Sequence, residues 1–365
     1  MIVVCAPDKF RGSLESEEAA AALAEGVRAA GCEAVCHPLA DGGEGTMELI
    51  RRARAGRRLE IAAADALGRT RPAAIAMLDD GTAVVEVAEA IGHVPPQERD
   101  VPAASSAGAG ELLLGALDAG ATRIVVGLGG SATVDGGLGL LRALGCRLRD
   151  ADGRELAGSG ADLARVVAID RSGLDPRLAA TPIVLALDVS SPLTGPAGAA
   201  AVFGPQKGAT PQQVVELDAG LLRLAPLLGE AAEIEGAGAA GGLGAALAWL
   251  GSEPRRGADL VMEETRFADV LAGAGCCLTG EGSVDRQTVT GKTVARVVVA
   301  CHASGVPVGV VGGAVDPAAA DALYALGATA VLAAGRGPAT LEQALEQARA
   351  NVSATARALC GMLRA

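Results

Sequence analysis

Three lysines occur among 31 basic side chains, and each stands in a glycine-rich stretch: Lys9 in APDKFRGS, Lys207 in FGPQKGA and Lys292 in TVTGKTV. Arginine does the remaining cationic work, so a lysine retained in such a chain needs a chemical reason. Glycine lets backbone N–H groups come close to a ligand, and a lysine beside it adds a compact point charge suited to phosphate or carboxylate. The pattern points to an anion site, with phosphate as the first expectation.

Acids and hydroxyls recur in the same kind of place. Five segments, Ala6 to Ser13, Ala40 to Thr46, Gly127 to Gly137, Asp188 to Gly195 and Thr279 to Asp285, place Gly, Asp or Glu and hydroxyl residues directly after a predicted strand. Ligands of open α/β sheets bind at such strand ends. Asp41 ends a strand and reads as a ligand or metal contact, whereas Glu44 reads equally well as a contact or as a first-turn acid of the next helix. Asp188 closes the apolar run PIVLAL, a position that suits a general base or a magnesium ligand. Glu281 and Asp285 in TGEGSVD fit magnesium, directly or through water, with a capped and solvated turn as the plainer reading.

Two glycine motifs test more specific chemistry. Gly127-Leu-Gly-Gly-Ser-Ala132 formally fits a dinucleotide fingerprint, but a helix should open inside that motif, and here Thr133-Val134-Asp135-Gly136-Gly137 prolongs the turn. A long N–H-lined loop with Ser131 and Thr133 hydroxyls suits nucleotide phosphate better than nicotinamide. Gly291-Lys292-Thr293 ends like a Walker A loop, yet Arg286 stands where that motif needs its first glycine. What remains is a lysine at a helix N-terminus, where a merely structural cation is unfavourable.

The elements that must position these residues alternate along the chain. Strands are predicted at 2–6, 33–38, 123–128, 182–188, 275–279, 306–311 and 328–333. Helices are predicted at 46–55, 106–119, 136–144, 212–228, 241–250, 264–272, 292–304, 318–326 and 340–363. Short Val/Ile runs between longer Ala/Leu stretches mark parallel strands covered by helices. Residues 59–93 differ, reading as two or three strands around an Asp-Asp-Gly turn and therefore as antiparallel. The 365 residues exceed one usual core. The expectation is an α/β protein of two α/β domains, one with a Rossmann-like or flavodoxin-like parallel sheet and the other a mixed α/β insertion, with the active site in the cleft between them. The first domain is placed at 1–60 plus 275–365 and the inserted one at 61–274.

Composition excludes other classes. Aromatic residues make up 1% of the chain, so ring stacking is not its mode of recognition, and a net charge of −12 without a long basic run disfavours nucleic acid. No apolar stretch is long enough to span a bilayer, and the chain opens on a strand rather than a basic leader, so a cytoplasmic protein is expected. The eight cysteines form no C-x-x-C pair and read as buried free thiols. His37, His93 and His302 have no neighbouring Ser, Cys or Asp motif that would build a triad.

Taken together, APDKFRGS, LADGGEGT, GLGGSATVDGGLGLLRALG, DVSSPLTGPAGAAAVFGPQKGA, GAGAAGGLGAAL and TGEGSVDRQTVTGK resemble the bacterial type 1 glycerate kinase family, in matching order from the first strand into the last helices. The resemblance implies phosphorylation of D-glycerate from ATP with Mg2+, usually on the 2-hydroxyl, by two α/β domains. Three positions depart from the family pattern. Lys9 and Arg11 replace a serine and a lysine, which moves the lysine's role to Arg11; Val134 replaces an asparagine; Ala107 replaces a bulky polar or aromatic residue.

Phosphoryl transfer asks chiefly for positioning and charge neutralisation, and the roles implied follow from that. Gly129, Gly130, Ser131, Thr133 and Asp135 would hold nucleotide phosphate, while Lys207 and Arg11 balance charge on phosphoryl and carboxylate oxygens. Asp188 would orient or deprotonate the substrate hydroxyl. Asp41, Glu44, Ser131 and Lys292 are the candidate glycerate contacts, and Glu281 and Asp285 the candidate metal ligands. An NAD(P)-dependent oxidoreductase of small hydroxy acids, a binding module without turnover and phosphorylation of the 3-hydroxyl are the rival readings. Whether the chain is a monomer or a homodimer is open from sequence.

Overall fold

In the computed structural model, which describes residues 1–335 and 337–363, apolar runs and strand positions largely coincide. Among the described residues the strands are β1 (Ile2–Cys5), β2 (Glu33–Cys36), β3 (Arg57–Ala64), β4 (Thr70–Met77), β5 (Thr82–Glu86), β6 (Arg123–Gly127), β7 (Arg147–Arg149), β8 (Ala168–Asp170), β9 (Ile183–Leu187), β10 (Glu253–Arg256), β11 (Cys276–Val284), β12 (Val308–Val315) and β13 (Ala330–Ala333). The fold is α/β, and the chain divides into two compact units: Met1–Asp41 with the chain from Ala258 onward, and Gly42–Gly257.

The smaller unit is built on a five-stranded sheet of order β13-β12-β11-β1-β2, parallel throughout. Counting only its own strands, that order is 2-1-3-4-5, the flavodoxin-like winding, whose switch point lies between the first and third strands, here β1 and β11. Successive side chains of β1 enter opposite cores, as the two-residue period of a strand requires. Val3 and Cys5 pack with Leu23, Val27, Val352 and Ala356, while Val4 packs with Val294, Val298 and Leu323. Helices on both faces explain why this sheet reads as uninterrupted apolar runs.

The larger unit has a six-stranded sheet of order β10-β9-β6-β5-β4-β3. Its first four strands are parallel, and β4 and β3 run antiparallel. The Asp79-Asp80-Gly81 turn joins β4 to β5, so the antiparallel reading of this stretch holds, and β5 also extends the parallel part. One large core of Val, Ile, Leu and Ala serves this unit.

Four local differences from expectation have physical causes. The helix expected at 264–272 is two, Gly257–Glu264 and Phe267–Leu271, because Arg266 takes a left-handed φ of 56° between them. The helix Ala199–Lys207 contains Gly204 and Pro205 and therefore carried no helical signature. β10 has the sequence Glu-Pro-Arg-Arg, which an edge strand tolerates because it pairs on one side only. Finally, β11 runs on to Val284, so Glu281 lies within the strand rather than after it, paired with Gly312. No helix among the described residues is long and apolar enough to cross a membrane.

Candidate active site

Parallel strands end on one side of their sheet, and in the larger unit those ends carry several of the candidate residues. Glu86, at the end of β5, is in register with Gly127 at the end of β6, which is in register with Ala186 of β9. Asp188 is thus the second residue beyond that register and the first after a central strand, half-buried. The loop from Gly42 to Gly45 lies over this edge at backbone contact distance. A Cβ on Gly42 would stand 2.8 Å from Gly257 Cα and 3.0 Å from Ala186 Cβ, and one on Gly129 would stand 2.6 Å from Gly43 Cα. Glu44 is exposed on this loop, its Oε2 3.9 Å from the Cβ position of Gly130. Part of the predicted segment Ala40 to Thr46, from Gly42 on, and the start of the segment Gly127 to Gly137 therefore lie against each other.

The second of those segments stays non-helical until Leu138, which fits a phosphate cradle and not the dinucleotide fingerprint. Asp135 fixes its shape from inside. Its carboxylate is fully buried and accepts from Ser106 N and Ser106 Oγ, each at 2.7 Å, from Gly137 N at 3.0 Å and from Gly139 N at 3.2 Å. Burial raises its pKa, and these donors oppose the rise. Asp135 is in this geometry an organiser of the loop rather than a group facing a ligand. Val134 packs in the apolar core.

Lys207 ends the helix Ala199–Lys207 and is only 8% exposed. Its Nζ donates to Thr133 O at 2.7 Å and to Ser131 Oγ at 3.0 Å. An ammonium has three N–H groups, which leaves one for a ligand oxygen. Burial lowers the pKa of Lys207 to about 7, and the nearby charge of Asp135 works against the shift. Thr133 Oγ1 is buried without a hydrogen-bond partner. An unsatisfied buried hydroxyl costs about 1–3 kcal/mol, and this one stands on the residue whose carbonyl oxygen accepts from the Lys207 ammonium.

The motif GAGAAGGLG is the bed of this loop. A Cβ on Gly241 would lie 2.0 Å from Thr133 O, one on Gly242 2.6 Å from Gly136 Cα, and one on Gly238 2.1 Å from Pro192 O. Gly136 N donates to Gly241 O and Gly238 N to Ser191 O, each at 3.0 Å. The same glycines thus seat the loop that carries Ser131 and the one that follows Asp188.

In the smaller unit the candidate residues gather at the switch point of β1 and β11. Asp8 N donates to Gly280 O at 2.9 Å, prolonging the β1–β11 ladder. The Asp8 carboxylate accepts from Thr293 Oγ1 and from Lys9 N, each at 2.7 Å. Its pKa is raised to about 6 by burial and by Asp41, with the Lys9 charge opposing. Glu281, on the neighbouring strand, is raised to about 7 chiefly by burial, with Asp8 and Asp285 adding and Thr288 and Lys292 opposing. Its Oε1 is buried without a hydrogen-bond partner. Lys292 is the N-cap residue of the helix Thr293–Ala303, and its Nζ donates to Gln287 Oε1 at 3.3 Å. Asp285 caps the short helix Arg286–Val289, accepting from Gln287 N at 2.7 Å. Arg11 is exposed, and its backbone lies 3.0 Å from the Cβ position of Gly282.

The structure therefore brings together Gly129, Gly130, Ser131, Thr133, Asp135, Lys207 and Glu44 in one unit, and Asp41, Glu281, Asp285, Lys292 and Arg11 in the other. Sequence reasoning missed Asp8, although it follows β1 as Asp41 and Asp188 follow their predicted strands. It also missed Ser106, which stands at the start of the predicted helix 106–119 but whose bonds to Asp135 no local pattern shows. Among the described residues no three His, Cys, Asp or Glu side chains form a metal-binding group. Magnesium does not require one, since it is commonly held by one or two carboxylates with substrate phosphates and water. The orphaned Oε1 of Glu281 fits such a ligand.

A model of the glycerate kinase family matches residues 3–364. A glycerate kinase of Bacillus subtilis (strain 168) is 41% identical over 375 residues, covering 100% of this chain and 98% of its own length. A glycerate 2-kinase of Escherichia coli (strain K12) is 39% identical with the same coverage. A crystal structure from Salmonella typhimurium LT2, described as a glycerate kinase 2, superposes with a TM-score of 0.85 at 42% identity, covering 100% of this chain and 98% of that one.

Proposed function

The chain belongs to the glycerate kinase family, and we propose that it transfers the terminal phosphoryl group of ATP to the 2-hydroxyl of D-glycerate. It is a phosphotransferase with an alcohol group as acceptor. The observation that carries the nucleotide half of this reading is Lys207, a buried ammonium with one N–H to spare beside the orphaned Thr133 hydroxyl. Both would be satisfied by phosphate oxygens, and backbone N–H groups of Gly129 and Gly130 would add to the cradle.

Charge development on the transferring group is then met by fixed donors, which need no reorganisation during the step. Lys207 supplies the point charge at the phosphate, with its alkyl stem and neighbours excluding water. Asp188, at the carboxyl end of a central strand, takes the proton of the attacking hydroxyl or holds it in line. Arg11 and Lys292 supply positive charge for the substrate carboxylate, and Asp41 and Glu44 accept from its hydroxyls. Glu281, with Asp285, would hold Mg2+, which when bound neutralises charge on the phosphate oxygens. The relative named as a glycerate 2-kinase supports the 2-hydroxyl as acceptor.

An ADP-release assay over a panel of small hydroxy acids tests the reading, with phosphorus NMR of the product to assign the hydroxyl. ADP release dependent on D-glycerate is expected, and a folded protein without it would overturn the proposal. Asp188→Asn should lower kcat by about 10²–10⁴, the usual contribution of a positioned general base. Full turnover in that variant would remove Asp188 from this role.

A further inference from the structure

Glu86 is a carboxylate that the mechanism above does not use, placed where the mechanism is most crowded. It ends β5, opposite Gly127, and is only 6% exposed. A buried carboxylate is costly unless hydrogen-bonded, and this one is bonded to the loop that carries Glu44. Its Oε1 accepts from Met47 N at 2.6 Å, and the Gly45 N–H faces the carboxylate and opposes the rise that burial gives its pKa.

The local sequence explains why a distant acid does this. The helix Thr46–Ala53 has Gly45 at its N-cap position, with φ 96°, and no side-chain cap of its own. Its first N–H groups therefore lack the usual Ser, Thr, Asp or Asn partner. Glu86 takes that place from another strand, 39 residues away in sequence from Met47. The loop so held is also the loop on which Gly129 rests: a Cβ at Gly129 would stand 2.9 Å from Glu44 N, and one at Gly127 2.9 Å from Gly42 O and 3.6 Å from Glu86 Cγ. Strand end, substrate loop and phosphate loop thus meet at one side chain.

We propose that Glu86 is a positioning residue of the phosphoryl transfer, holding Gly42–Gly45 and thereby Glu44 in register with the Gly127–Gly130 loop. This rests on the reading in which Glu44 meets glycerate and the glycine loop meets phosphate. Glu86 touches neither ligand in this scheme. Its removal therefore costs binding geometry rather than the chemical step, and a purely structural cap elsewhere in the fold would change stability alone.

The test uses the full chain with Glu86→Ala and Glu86→Gln, each checked for folding by circular dichroism. Glu86→Ala should raise the KM for D-glycerate about tenfold, the size of one lost charge-assisted hydrogen bond, with kcat changed less than about threefold. Glu86→Gln keeps an acceptor oxygen and should recover part of the loss; should the alanine variant not fold, the glutamine variant carries the test by a smaller rise of the same kind. Amide hydrogen exchange should quicken at Gly45 to Met47 and also at Gly127 to Gly130 in both variants. Folded variants with the parent KM, or a fall in kcat alone, would overturn the proposal. If the parent protein proves inactive on glycerate, the proposed function fails by itself, and the exchange measurement still decides this one: unchanged exchange at Gly127 to Gly130 would overturn it.

Discussion

Of the three lysines, Lys207 has the most unusual setting, because burial has taken its pKa from the ordinary lysine range to about 7. A folded pKa below the unfolded one means that the folded chain pays for the charged form. That cost is fully present below about pH 7 and is relieved as pH rises toward the unfolded value, where both states are neutral. Activity should move the opposite way, since a neutral amine gives phosphate no charge. The pH profile of kcat/KM for ATP reports the free enzyme and should fall as pH rises through about 7. The profile of kcat should fall at higher pH, because bound phosphate restores the charge. A kcat/KM flat from about pH 6 to 9 would mean that Lys207 does not act as a cation. Lys9 has a different place: its charge steadies the raised Asp8 carboxyl, so a lysine that the family pattern left without a role acts on an acid that sequence reasoning passed over.

At the scale of elements, the glycines mark where one loop lies on another. Gly241 has φ 77° and no room for a side chain, its Cβ position being 2.0 Å from Thr133 O. Gly241→Ala combines a left-handed backbone cost of about 1–2 kcal/mol with an overpacking cost of about 1–3 kcal/mol. Urea denaturation should show a loss of at least about 2 kcal/mol, and the KM for ATP should rise because Thr133 is displaced; an unchanged midpoint would refute the packing argument. These glycines were visible in the sequence as a motif, but not what they pack against. Periodicity reads a strand or helix from its own residues, whereas the bed under a loop is set by a segment far along the chain. The same limit hid the role of Asp135, which the sequence placed among phosphate contacts and whose carboxylate is taken up by Ser106, Gly137 and Gly139. It also hid β10 and the helix ending in Lys207, where Pro and Gly contradict a local structure that tertiary contacts impose.

For the whole molecule, the parallel sheets were legible because strands covered on both faces must be apolar throughout, and most strand ends were placed within a residue or two. The winding order was not legible, since nothing local says which strands are neighbours. The flavodoxin-like order adds a reason for the acids of the smaller unit: Asp8 and Glu281 lie on either side of the switch point, where the crevice of such sheets opens. Net charge argues in the same direction at this scale. A chain carrying −12 repels polyanions as a whole, so in the proposed reaction local donors would have to draw the small anion, and a divalent cation would offset its charge. ATP with Mg2+ should therefore stabilise the folded protein more than ATP with a chelator, and NAD should not stabilise it. At a hundredfold excess over its Kd a ligand stabilises by about 2.7 kcal/mol, enough to raise Tm by a readable amount in a thermal-shift measurement. An equal rise with NAD would favour the oxidoreductase reading of Gly127 to Ala132, and an equal rise with and without Mg2+ would remove Glu281 from the metal role.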